Sequence, residues 1–108
     1  MASDKLKQLT DAEFDDFISK GVTLVDFWAP WCGPCMAQSP ILEQVAEKIG
    51  DAAEIAQVNV DENQQAAARF QVRSIPTILI FKDGQFKQQY VGMQQESALI
   101  EALEAAAE

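Results

Sequence analysis

The chain has 108 residues, 48% of them hydrophobic, and carries eight Lys and Arg against 17 Asp and Glu, a net charge of −9 with no histidine. A chain of this size buries roughly 65% of its unfolded surface, and this apolar content supports a core without staples. Nucleic acid is a poor partner for it, because phosphate binding needs a Lys/Arg patch and the eight cations are scattered.

No linker, repeat or low-complexity tract interrupts the chain, so one domain over residues 1–108 is expected. A short first strand is expected around Lys5 to Leu9. Thr10-Asp11-Ala12-Glu13 is a capping-box pattern, and Phe14, Phe17 and Ile18 then share one apolar face. A helix from Thr10 to Lys20, stopped by Gly21, follows from this spacing. "VTLVDFW", Val22 to Trp28, is almost continuously apolar and rich in β-branched and aromatic residues, which suits a strand covered on both faces. From Pro34 to Ile49, Ile41, Leu42, Val45, Ala46 and Ile49 keep helical spacing, with Gly50 closing the helix and Pro40 expected to kink it.

"EIAQVNV" reads as a second buried strand, followed by a short helix from Asn63 to Phe70, and "TILIF" as a third. Asp83-Gly84 is a hairpin signal leading into "QFKQQYV". Gly92 breaks that strand before an amphipathic helix in "ESALIEALEAAA". Alternating elements followed by a hairpin imply an α/β fold, a central mixed sheet flanked by helices on both faces. The N-terminus "MASDKLKQL" has no apolar h-region and no apolar run reaches ~18 residues, so the expectation is a soluble, cytoplasmic monomer without membrane contact.

The two cysteines, Cys32 and Cys35, stand in "FWAPWCGPC". Three readings compete. Half of a zinc site would need further Cys or His ligands, and the chain has none. A structural disulfide closing so short a loop contributes only ~2 kcal/mol in the chain-entropy model, and a cytoplasmic pair is held reduced. Redox catalysis is favoured by the surroundings. The pair falls between a buried strand and a helix, which puts Cys32 at a helix N-terminus, where free N–H groups and the macrodipole stabilise a thiolate. Pro34 suits an early helical position, and Cys35 then lies in the first turn, more enclosed. The result is an exposed attacker and a sheltered resolver.

"WCGPC" after an apolar strand, with "SIPT" and the "KDG" turn downstream, resembles the thioredoxin family. The resemblance runs from "FWAPWCGPC" through Pro40, "VNVDEN", Ile75-Pro76-Thr77 and Gly92. It implies the thioredoxin fold and a general protein-disulfide reductase with no cofactor and no metal. Cys32 attacks, Cys35 resolves the mixed disulfide, and Gly33 and Pro34 complete the catalytic motif. A Cys32–Cys35 disulfide is left, which thioredoxin reductase recycles; protein disulfides are the substrates. A thiol whose pKa drops from ~8.5 to ~7 gains only about threefold in reactivity at neutral pH, because nucleophilicity falls with pKa. Docking of the substrate and the high effective concentration of Cys35 must supply the rest.

Asp26 interrupts "VTLVDFW", where a buried, unpaired carboxylate costs several kcal/mol. One reading points it to a wet strand edge. The other makes it a desolvated carboxyl of raised pKa that exchanges a proton with Cys35, and the resemblance supports this second reading. Thioredoxins often place a lysine on the neighbouring strand, where this chain has Gln57. X-Pro bonds are cis only ~5% of the time, but the resemblance implies a cis Ile75-Pro76 bond facing the cysteines. Ser74 replaces a frequent glycine and narrows the approach. Trp28 reads as core and Trp31 as a partly exposed platform. With Gly33, Pro34, Val60, Ile75 and Pro76, and with Val91, Gly92 and Met93, Trp31 is expected to form an apolar substrate-docking patch, as in the family.

Two rival functions remain. A non-catalytic thioredoxin-like binding subunit would need neither the cysteine pair nor Asp26. An oxidant or isomerase usually carries a histidine between its cysteines, where this chain has Gly33-Pro34.

Overall fold

The computed structural model describes residues 6–108. Five strands form one sheet: β1 (Lys7–Gln8), β2 (Val22–Trp28), β3 (Glu54–Asn59), β4 (Thr77–Lys82) and β5 (Gln85–Val91). Their order is β1-β3-β2-β4-β5. β3 runs parallel to both β1 and β2, and β4 runs antiparallel to β2 and β5. The expected first strand is thus shorter, and Lys5 lies outside the described residues.

The apolar run of β2 is central and buried along its whole length. Its alternation sorts the core into two layers, since successive side chains point to opposite faces. Val22 and Leu24 pack with Leu42 and Val45 of α2 (Gly33–Ile49) and with Leu99 and Leu103 of α4 (Glu96–Ala107). Val25 and Phe27 pack instead with Phe14 and Ile18 of α1 (Phe14–Ile18) and with Ala66 and Ala67 of α3 (Gln64–Arg69). Helices therefore cover both faces. α2 passes through Pro40 as one helix.

The helix expected from Thr10 to Lys20 is instead a 3-10 turn, Asp11–Glu13, followed by the five residues of α1. Asp11 has other work. Its carboxylate accepts from the N–H groups of Gln65 (3.1 Å) and Ala66 (2.9 Å), capping α3, while its own N–H donates to Asn63 Oδ1 at 3.0 Å. A side chain from far along the chain thus satisfies the open N–H groups at that helix start. At the hairpin, Asp83 (φ +50) and Gly84 (φ +85) both take the left-handed region that a two-residue turn between twisted strands requires.

Candidate active site

β2 ends at Trp28, and the chain turns so that Cys32 N–H donates to Ala29 O at 3.1 Å. Cys32 is the N-cap of α2, with Gly33 and Pro34 opening the first turn. Its Sγ accepts from the Cys35 N–H at 3.2 Å, in the place where a capping oxygen usually stands. The two cysteines form a disulfide with a Cα–Cα separation of 5.2 Å. Both are enclosed, Cys32 at 5% exposure and Cys35 at 0%, so in this state the expected contrast between an exposed and a sheltered sulfur is small. Trp28 and Ala29 pack beside them, joined by Val60 and Ile75. Packing against the sheet end, and not only the loop, seals the first sulfur.

The Ile75-Pro76 bond is cis. The Ile75 carbonyl oxygen lies 3.8 Å from Cys32 Sγ, and Pro76 O accepts from Gly92 N–H at 2.8 Å. Val91 stands opposite Thr77 in the ladder. These contacts bring the 75–76 turn and the start of the 91–93 segment to the cysteines. Trp31 is 70% exposed, and Gly33, Pro34, Val91 and Met93 are also open to solvent. Val60, Ile75 and Gly92 are half-buried, whereas Pro76 is buried.

Asp26 is fully buried, which excludes the wet-edge reading. Its side chain points to the α2 face, and Oδ2 accepts from Gln57 Nε2 at 3.3 Å. Burial pushes its carboxyl up from 3.8 to about 7, and the Gln57 hydrogen bond opposes that rise. The same Gln57 nitrogen donates to Ser39 Oγ (2.9 Å), and the Ser39 hydroxyl donates to Cys35 O (3.3 Å). A hydrogen-bonded path therefore joins Asp26 to the backbone of the enclosed cysteine.

The thioredoxin family model matches residues 5–105. The chain belongs to the thioredoxin family. A thioredoxin from Staphylococcus saprophyticus subsp. saprophyticus is 48% identical over 97 residues, covering 90% of this chain and 93% of that protein. A thioredoxin from Staphylococcus aureus is 47% identical over the same shares. A solved mutant thioredoxin from Halobacterium salinarum superposes with a TM-score of 0.86 at 40% identity, covering all of this chain (100%) and 96% of that one. The activity is accordingly a thioredoxin-type dithiol–disulfide oxidoreduction through a redox-active cysteine pair, with protein disulfides as substrates and a reductase as partner. Among the described residues, no helix is long and apolar enough to cross a membrane.

Two supports of this thioredoxin site escape sequence reasoning. Trp31 Nε1 donates to Asp61 Oδ2 at 3.0 Å, which pins the exposed indole to the loop after β3. Gln38, fully buried in α2, donates to Gln94 O (3.1 Å) and accepts from Gln94 N–H (2.7 Å), holding the segment just after Met93. A buried glutamine at the core-facing spacing of a helix is the one available signal, and it is weak, because its partner is a backbone 56 residues away.

Proposed function

We propose that this chain is a general protein-disulfide reductase of the cytoplasm, acting as a monomer of one domain over residues 1–108 and as a carrier of electrons between its reductase and protein disulfides. The reaction moves two electrons from the enzyme dithiol to the substrate. The Cys32 thiolate attacks one substrate sulfur, forming a mixed disulfide and releasing the other sulfur as a thiolate that takes a proton from solvent. Asp26 takes the proton of Cys35, whose sulfur then attacks Cys32 Sγ, breaks the mixed disulfide and frees the second substrate thiol. The enzyme is left with its Cys32–Cys35 disulfide.

The observation that carries the reading is the Cys35 N–H directed at Cys32 Sγ at the start of a 17-residue helix. A thiolate in that position gains a charge-assisted hydrogen bond and the positive end of the macrodipole. Cys35 sits deeper, with no exposure to solvent. Substrate would dock on Trp31, Gly33 and Pro34 on one side and on Val91, Gly92 and Met93 on the other. Between them, Val60 and the Ile75-Pro76 turn form the floor. The patch is apolar and suits many flexible disulfide segments.

Reduction of insulin by dithiothreitol tests the reading. The protein should accelerate it, Cys32→Ser should abolish the acceleration, and Cys35→Ser should accumulate mixed disulfides through Cys32. Trapping through Cys35 in Cys32→Ser would reverse the roles, and an inactive wild type would point to the binding-subunit alternative.

A further inference from the structure

The strand ladder sets Gln8 opposite Gln57 and Gln57 opposite Asp26, one residue on each of β1, β3 and β2. Neighbouring strands lie about 4.8 Å apart, so the three polar side chains form a row in direct hydrogen-bonding reach. Around the row, the same face carries Leu24, Ile55, Ile78 and Ile80. Gln8 Nε2 donates to Gln57 Oε1 at 2.9 Å. An amide has one acceptor end and one donor end. With its Oε1 taken by Gln8, Gln57 turns its NH2 inward, where it donates to Ser39 Oγ and to Asp26 Oδ2. Asp26 Oδ1 has no hydrogen-bond partner among the described residues.

We propose that Gln57, oriented by Gln8, is a positioning residue for the disulfide exchange: it holds Asp26 through Oδ2 and leaves Oδ1 as the open oxygen that takes the proton. The proposal rests on the reading of Asp26 as proton acceptor for Cys35 and names what aims it. Ionisable groups on the surrounding elements are Glu54 on β3, Lys82 on β4, and Glu43, Glu47 and Lys48 on α2. Lys7 on β1, Cys35 on α2 and Glu96, Glu101 and Glu104 on α4 stand on these elements too. Burial raises the Asp26 carboxyl and the Gln57 hydrogen bond lowers it. A cation in place of Gln57 would hold the carboxylate ionised and weaken it as a base. A neutral amide orients it and leaves it basic near neutrality.

The test follows the Asp26 carboxyl by carbon NMR across pH and, on the same proteins, the pH profile of disulfide exchange. Gln8→Leu acts at an exposed position and should keep the fold. Gln57→Leu removes the amide. Both should raise the proton affinity of Asp26, roughly tenfold for Gln57→Leu and less for Gln8→Leu. The inflection of the exchange profile should move the same way, and Gln57→Lys should move both downward. An Asp26 midpoint unmoved in either leucine variant overturns the proposal, as does a moved midpoint with an unmoved exchange profile. Asp26→Asn tests the underlying reading separately: an exchange profile that keeps its inflection without the carboxyl refutes the role of Asp26 itself.

Discussion

On the sheet face covered by α1 and α3, Phe14 packs against Phe27, Phe70 and Phe81, meeting Phe81 edge-on with ring centroids 5.9 Å apart. On the face covered by α2 and α4, the strands carry Gln57 and Asp26 inward among Leu24, Ile55, Ile78 and Ile80, where Gln57 also meets Ser39 of α2. The first arrangement is stabilised by non-directional burial plus favourable ring geometry. The second keeps a carboxyl in a dry site with one oxygen unpartnered among the described residues, a costly arrangement that burial of another leucine would have avoided. The contrast teaches where to look for chemistry in such a fold. Stability is concentrated where side chains are interchangeable in kind, and the site sits where the sheet departs from that.

The largest effect should come from breaking the aromatic face. Phe14→Ala should lose about 3–5 kcal/mol in urea denaturation, with exchange per folded molecule unchanged. A loss of exchange beyond the unfolded fraction would mean that the two faces are coupled.

Next in size is the clamp that ties the docking segment to α2. Gln38→Leu leaves the Gln94 N–H and carbonyl without their partner. A loss of about 1–3 kcal/mol is expected, together with a raised KM for a protein disulfide and a smaller change in kcat. Equal falls in kcat and kcat/KM would place Gln38 in the chemical step instead.

The smallest is the α3 cap. Asp11→Ala should lose about 1 kcal/mol and leave exchange untouched, since the cap belongs to the apolar side. Thermal denaturation reads the loss; a slower exchange would show that α3 supports the site.

Legibility in the sequence follows the same division. The apolar strands, the helices of α2 and α4 and the Asp83-Gly84 turn are local patterns, and periodicity and turn chemistry carry them. The cysteine pair is legible because "WCGPC" places it at a strand–helix junction. What local pattern cannot carry is register and long reach. Gln8, Gln57 and Asp26 become neighbours only once β1, β3 and β2 are aligned. Asp11 caps a helix more than fifty residues away, and that engagement accompanies the shortening of the helix expected from Thr10 to Lys20. The cis bond at Pro76 runs against the general trans preference of X-Pro bonds, and only the family resemblance implies it.

The sharpest test of the division is Asp26→Ala, followed by denaturation and by exchange across pH. The carboxyl titrates at about 7 in the folded protein against 3.8 as its ordinary value. A raised carboxyl pKa means that ionisation disfavours the fold, with a penalty that begins above the unfolded value, grows up to the folded one and is constant beyond. That penalty is on the order of 4 kcal/mol at about pH 8, of which lost packing and the orphaned Gln57 donor offset roughly half. The variant should therefore be more stable than the parent by roughly 2 kcal/mol at about pH 8, lose that advantage as the pH falls toward 4, and exchange disulfides at least tenfold more slowly. A variant that is less stable at about pH 8 and fully active would contradict the account, and would make Asp26 an ordinary, satisfied residue of the core.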